Sequence, residues 1–357
     1  YRNTKNVPYY VFGRGSLAQL GDLLNPRREA VDGPVVYFVD HFFRDHELIG
    51  RLPMEKGDQL HFVDSSSEPE VTRIDAFKEA VSAADSRTPC CVVGIGGGNA
   101  LDTAKAVANL LTNPGKAEDY QGWELVKNPA VYKIGIPTLS GTGSECSRTC
   151  VLTNIPKNLK LGMNSDYTVY DQLLLDPDLL ATVPRDQYFY TGIDTFMHCV
   201  ESLQGSYRNA IIDAFSVRAV QLCEEIFLSD DMMSEDNREK MMIASYIGGM
   251  AAGNVGVIHP FSAGLGVVLH VAHGLGNCLA LNVLGDIYPK EYKQFRTMIE
   301  RQGVNLPTGI CKDLTEEQYE GLYRGCIVHE KPLTNALGPD FKQILTRENL
   351  IERYKSI

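Results

Sequence analysis

Several things are scarce in this sequence, and each shortage removes a class of roles. There is no Cys-x-x-Cys pair, and the nine cysteines are scattered and odd in number. That argues against a disulfide framework and fits a reducing compartment. No secretory leader is visible, so a cytoplasmic location is the expectation. Positive charge is in deficit: 34 Lys and Arg stand against 45 Asp and Glu, for a formal net charge of −11. Nucleic-acid binders are normally basic, and an anionic membrane surface would repel such a chain, so neither is expected as a partner. Long apolar runs are also missing. The uncharged stretch IASYIGGMAAGNVGVI (243–258) contains Asn254 and four glycines and falls short of the roughly 20 residues of a membrane span. It reads as a buried core helix. There is no internal repeat and no low-complexity tract.

What is present points to two domains, because 357 residues exceed what one core usually holds. PVVYFVD (34–40), QLHFVD (59–64), PCCVVGIG (89–96) and VYKIGIPT (131–138) read as buried strands, rich in Val, Ile, Phe and Tyr with turn residues around them. Helical patterns separate them, at GDLLN, 70–84 and 99–112. Strands alternating with helices imply a parallel α/β sheet. The strand signal fades after VYDQLLLDP (169–177). From Pro184 onward the spacing is helical, over 185–203, 208–228 and 236–253. The expected division is therefore 1–183, an α/β dinucleotide-binding domain with a parallel sheet, and 184–357, an all-helical domain. LSDDMMSEDNREK (228–240) reads as an exposed acidic loop or helix start.

GIGGGNALDTAKAVA (94–108) follows a strand and opens a helix. Backbone N–H groups at such a start can hold a pyrophosphate, and Gly97 and Gly98 permit close approach. A glycine run alone is also just a turn. The order is unusual, because Asp40, ending an early strand, precedes the glycines instead of following them. That residue is either a ribose-binding acid or a cap, and spacing alone leaves both open. IPTLSGTGSECSRT (136–149) is a second polar loop after a strand, at the edge where open α/β sheets bind ligands.

Four residues carry the most chemistry. Asp194 and His198 lie four apart in DTFMH, on one face of a helix. His259 and His273 lie in HPFSAGLGVVLHVAHG (259–274). One carboxylate and three imidazoles suit Zn²⁺ or Fe²⁺. On one unbroken helix the fourteen-residue separation of His259 and His273 would span roughly 21 Å, too far for one ion. If both are ligands the helix must break between them, and Gly264 and Gly266 are the expected break. For any one histidine taken alone, a structural role is the commoner fate. His41, His46, His61 and His329 have no partner pattern and read as surface or cap residues.

FGRGSLAQL (12–20), GGGNALDTAKAVA, PTLSGTGSE, LLLDPDLLATVP (173–184), GIDTFMHCVES (192–202) and the His-rich segment, in that order, resemble the iron-containing (group III) alcohol dehydrogenase family over nearly the whole chain. The resemblance implies NAD and one divalent metal ion as cofactors, with Asp194, His198, His259 and His273 as ligands. It implies Gly97, Gly98, Asn99 and Asp102 in the pyrophosphate loop, and Thr138, Thr142 and Ser144 in a second nucleotide loop. Asp40 becomes the ribose acid, and Lys160 and Leu179 match positions near the nucleotide. A homodimer or larger homo-oligomer is implied as well. Many members carry another histidine four residues after the third ligand, where this chain has Ala263. A proton-handling role therefore passes to His270 as a candidate, although a structural role for His270 is favoured, and the pocket is enlarged. Within the family the resemblance is to members that oxidise C8 of 3-deoxy-D-manno-octulosonate (Kdo). That implies oxidation of a primary alcohol on an acidic sugar in lipopolysaccharide biosynthesis, with Arg148 or Lys160 meeting the carboxylate. The alternatives are a lyase or cyclase resembling dehydroquinate synthase, a dehydrogenase of another small alcohol, and a non-enzymatic metal- or nucleotide-binding protein. The intact ligand set beside a nucleotide loop disfavours the last.

Overall fold

The apolar runs of the first half become strands covered on both faces. The computed structural model describes residues 5–357 apart from Asn158. The chain forms two units, Tyr1–Leu139 with Ser144–Thr182, and Ser140–Gly143 with Val183–Ile357. In the first unit the elements are β1 (Tyr9–Phe12), α1 (Leu20–Ala30), β2 (Val35–Asp40), β3 (Gln59–Val63), α2 (Val71–Ala84), β4 (Cys91–Gly96), α3 (Gly98–Leu110), β5 (Gly122–Trp123), β6 (Lys133–Pro137), β7 (Thr149–Asn154), β8 (Leu159–Asn164) and β9 (Gln172–Leu175). The main sheet has the order β1-β9-β6-β4-β2-β3, and each of these pairings is parallel.

Successive residues of a strand point to opposite faces, and β2 shows the result. Val36 and Phe38 enter one core with Val71 and Ile74 of α2 and Ala104 and Val107 of α3. Val35, Tyr37 and Val39 enter another with Leu20 and Leu24 of α1. Both faces need apolar residues, so the strand reads as an unbroken apolar run. A second, three-stranded sheet, β5-β8-β7, did not register in the sequence reading. Its β7–β8 pair is antiparallel; β7 alternates half-buried with buried residues, and β8 buries only Lys160 and Met163.

The second unit is built from α4 (Arg185–Gln204), α5 (Ala210–Phe227), α6 (Glu235–Gly248), α7 (Ile258–Leu269), α8 (His273–Val283), α9 (Pro289–Gln302), α10 (Glu316–Ile327), α11 (Glu330–Leu337), α12 (Phe341–Ile344) and α13 (Arg347–Lys355). Helix α4 packs on α5 and α8, and α7 packs on α8 and α10. Pro184 is the N-cap residue of α4, where a missing N–H does no harm. The uncharged stretch 243–258 is not one helix. It holds the end of α6, a 3₁₀ turn over Gly249–Asn254 and the first residue of α7. Among the described residues no single helix is long and apolar enough to cross a membrane.

One expectation needs correction. Helix α7 runs through Gly264 and Gly266 without a break. Gly264 is a packing residue: a Cβ there would lie 2.5 Å from Tyr354 Oη and 2.7 Å from Leu322 O of α10. The break comes at His270, which closes α7 in the left-handed conformation (φ 55°, ψ 30°). Helix α8 then starts at His273 itself.

Candidate metal centre and nucleotide-binding turn

The turn after Leu269 brings the two distant histidines to the helix that carries the other pair. One ligand atom from each of Asp194, His198, His259 and His273 lies within 4.8 Å of the others. Asp194 Oδ1 is 3.1 Å from His259 Nε2 and 3.7 Å from His198 Nε2, while Oδ2 is 3.5 Å from His273 Nε2. The Asp194 side chain is fully buried, whereas that of His273 keeps 30% of its exposure, so the cluster opens to solvent on the His273 side. The rings of His198 and His259 stack at 4.5 Å.

The charges in the cluster are mutually dependent. Burial alone would raise the pKa of Asp194, but His198, His273 and His259 hold it below the ordinary carboxylate range. Burial drives His198 down to about 3. Burial also disfavours charge on His259, yet the Glu201 and Asp194 carboxylates overcome it and raise this group to about 9. The donor set fits a divalent cation. Metal–ligand bonds of about 2.0–2.1 Å put ligands at most roughly 4 Å apart across one ion, so only a slight contraction is required. In addition, Asp194 Oδ2 is buried and accepts no hydrogen bond among the described residues, a costly arrangement that a cation would relieve.

Two further residues belong to this centre and were missed in the sequence. Asn277 Nδ2 donates to Asp194 Oδ1 at 2.7 Å and lies 3.4 and 3.3 Å from the Nε2 atoms of His259 and His273. Glu201 Oε2 meets His259 Nδ1 at 2.5 Å. Their signal was available, since Asn277 is four residues after His273 and Glu201 three after His198, each on the face of its ligand. Ala263, 7% exposed, lies one turn beyond His259 on α7. His270 is exposed and closes its helix.

In the first unit, β2, β4 and β6 are neighbours in the sheet, so Asp40, Gly97 and Thr138 stand side by side at their carboxyl ends. Thr138 N donates to Gly96 O at 3.0 Å. Gly96 has φ +153°, and a Cβ there would lie 2.9 Å from Asp40 Cβ. Gly97 is the N-cap of α3 and has no side chain to cap it, which suits an anion at the opening N–H groups, that of Gly98 included. Asp40 Oδ1 accepts from Phe42 N and Ser65 Oγ.

Other expected nucleotide residues are engaged elsewhere. Asn99 Nδ2 donates to Ser65 O and Ser67 O, tying down the neighbouring loop. Asp102 accepts from Ser144 Oγ at 2.5 Å and Val151 N at 2.9 Å, and burial raises its pKa. Both its oxygens fasten α3 to the 144–151 segment, so Asp102 is a structural tie and not an open acid in the loop. Lys160 pairs with Glu68 at 2.8 Å. Leu179 packs in the core with Ile95 and Ile136. Thr142 lies in the Ser140–Gly143 segment of the second unit. There Gly141 N donates to Ser245 Oγ, Gly141 O accepts from Thr195 Oγ1, and a Cβ on Gly141 would collide with Thr191 O. Arg148, expected near a substrate carboxylate, is engaged within its own unit. Its guanidinium pairs with Asp166 and Glu124, each at 2.7 Å, which occupies it with two carboxylates.

A parallel α/β unit with a glycine turn, and a helical unit with an Asp/His₃ cluster, define a nucleotide- and metal-dependent class of oxidoreductase. Comparison with known proteins gives the family. The iron-containing alcohol dehydrogenase family model matches residues 8–177, and the C-terminal model of the Fe-containing alcohol dehydrogenase family matches residues 188–321. The chain belongs to the iron-containing alcohol dehydrogenase family. It is 34% identical to a sulfoacetaldehyde reductase of Bilophila wadsworthia over 60% of this chain and 56% of that protein, so the match spans little more than half the length of that relative. An NAD-dependent methanol dehydrogenase of Bacillus methanolicus is 29% identical over 76% of this chain and 71% of its own. Among solved structures, the sulfoacetaldehyde reductase of Bifidobacterium kashiwanohense in complex with NAD⁺ shares the fold with a TM-score of 0.80, at 24% identity, covering 99% of this chain and 98% of that one.

Proposed function

We propose that the protein interconverts a primary alcohol and its aldehyde, moving one hydride to or from NAD, with Asp194, His198, His259 and His273 holding the metal. The observation that carries this reading is the gathering of those four side chains within 4.8 Å in a chain that also holds the glycine turn. A bound divalent ion supplies Lewis-acid polarisation of the substrate oxygen. The chain supplies the rest. The opening N–H groups of α3 receive the pyrophosphate, Asp40 accepts from a ribose hydroxyl, and Asp194 contributes a single negative charge, leaving the loaded site net positive. His270 is the candidate to take the alcohol proton, with water and the nucleotide ribose as the alternatives. The reaction balances as alcohol and NAD⁺ giving aldehyde, NADH and a proton.

The substrate proposed is an acidic sugar, C8 of Kdo, on the strength of the sequence motifs. A second reading, a small anionic aldehyde, is favoured by the sulfoacetaldehyde reductase relative. Either places the protein in the cytoplasm, where NAD is available. We also infer a homodimer. Strand β1 exposes Tyr9 (65%) and Phe12 (40%), apolar surface of the kind a second copy of the chain would cover.

The test is to assay purified protein with Kdo, sulfoacetaldehyde and 1-propanol, aerobically and anaerobically, following NADH, peroxide and product mass, with metal content measured on the same sample. Metal-dependent NADH formation is expected from Kdo or 1-propanol with NAD⁺, and metal-dependent NADH consumption from sulfoacetaldehyde with NADH. Full turnover by metal-free protein, or by Asp194→Ala, would sink the reading.

A further inference from the structure

Glu201 is 1% exposed and is not among the four clustered ligands, yet a buried carboxylate is expensive unless every oxygen is engaged. Here each is. Oε2 lies 2.5 Å from His259 Nδ1. Oε1 accepts from Ile258 N at 2.6 Å and from Tyr288 Oη at 3.1 Å. Tyr288 Oη in turn accepts from Val257 N at 3.0 Å. Val257 is the N-cap of α7 and has no side-chain cap of its own, so these are the N–H groups that a helix start leaves without partners. One carboxylate therefore anchors the first turn of α7 and grips the ring of its second residue. On the far side of that ring, Nε2 faces Asp194 Oδ1 at 3.1 Å.

We propose that Glu201 is the positioning residue of the metal centre: when an ion is held, it keeps the one remaining ring proton of His259 on Nδ1, which leaves Nε2 to face the ion. The inference rests on the reading of the four side chains as ligands. Its chemical core is that a neutral imidazole has one N–H and one acceptor nitrogen, and the group facing one nitrogen decides the role of the other. Oε1 already accepts from Ile258 N and Tyr288 Oη, so Oε2 is the oxygen left to accept from His259 Nδ1. A glutamine of the same shape cannot do both of its jobs. If its amide N–H₂ faces His259, the ring proton is driven to Nε2. If instead its oxygen faces His259, the N–H₂ group confronts Ile258 N–H. Outer partners of this kind orient ligands and strengthen their donation.

The experiment uses the full chain, stripped by chelation and titrated with Zn²⁺ or Co²⁺ against a chromophoric chelator. The visible spectrum of the Co²⁺ form and the melting temperature of the metal-free form are recorded alongside. Glu201→Gln is expected to weaken metal binding by about tenfold or more and to change the Co²⁺ spectrum, with little change in metal-free melting. Glu201→Asp, still acceptor-only but one methylene shorter, should bind better than Glu201→Gln. Tyr288→Phe removes a partner of Oε1 without touching the His259 pair, so it should lower metal-free melting and leave affinity close to the parent. Equal affinity in Glu201→Gln and the parent overturns the inference, as does an equal loss in Glu201→Gln and Tyr288→Phe. If Glu201→Gln does not fold, Glu201→Asp against Tyr288→Phe decides on the same criterion. Failure of the parent protein to bind metal would sink the metal-site reading itself, a separate and recognisable result.

Discussion

The Asp58 carboxylate closes four hydrogen bonds. It accepts from Arg28 Nη1 at 2.9 Å and Nη2 at 2.6 Å, from Val35 N at 2.9 Å and from Glu55 N at 2.8 Å, with 2% of its side chain exposed. Burial would raise its pKa, but Arg28 and the two backbone donors outweigh burial and lower it below 3.8. A depressed carboxylate stabilises the fold fully above its unfolded pKa and loses that contribution as pH falls through the folded value. Asp58→Ala should therefore cost about 3 kcal/mol at pH 7, and the difference from the parent should shrink below about pH 4. Urea unfolding at pH 7 and pH 3 measures both. The same scale explains what could be read from the residues of the metal centre. Asp194 and His198 were legible because ligand type and helical spacing coincide, whereas Glu201 and Asn277 look like ordinary polar helix positions until a facing helix gives them partners. The ion pairs of Arg148 were hidden for the same reason, because its carboxylate partners, Glu124 and Asp166, come from segments the chain order does not juxtapose.

At the scale of elements, α7 and the turn after it make opposite demands on two residues. Ala is normally better than Gly inside a helix by up to about 1 kcal/mol. Gly264→Ala should nevertheless destabilise the protein by roughly 2–3 kcal/mol, because the added methyl meets Leu322 O and Tyr354 Oη. A thermal melt that improved instead would remove the close approach of α7 and α10 as its reason. His270 is the reverse case. A residue with a Cβ at φ 55° carries a cost of about 1 kcal/mol that glycine avoids. His270→Gly should raise stability by about that much, and if His270 receives the alcohol proton, kcat should fall in the same variant. A stabilised variant with unchanged kcat would return His270 to a purely structural role. These residues also show why the break was misplaced. Glycine in a sequence signals either freedom or close packing, and only the neighbouring helix tells them apart. Among the strands, β2, β4 and β6 were legible because a sheet covered on both faces needs nearly continuous apolar runs. The pair β7 and β8 was not, because its strands mix buried with half-buried residues and leave no such run.

For the molecule as a whole, the net charge of −11 acts on any charged substrate before contact. At about 0.01 M salt the field extends roughly 30 Å, and at about 0.15 M it falls to about 8 Å. An anionic sugar approaches against this field, whereas 1-propanol does not sense it. With NAD saturating, kcat/KM for the anionic substrate should therefore rise by a few-fold as salt increases over this range, and that for 1-propanol should stay flat. Initial rates across the range, with metal content checked at each point, decide the matter. A fall for the anionic substrate would show that nearby lysines or arginines outweigh the net charge at the entrance, giving the acidic substrate a local receptor to be mapped. A flat response for both would show that substrate charge goes unsensed, and would count against an acidic sugar as the compound this site is built to take.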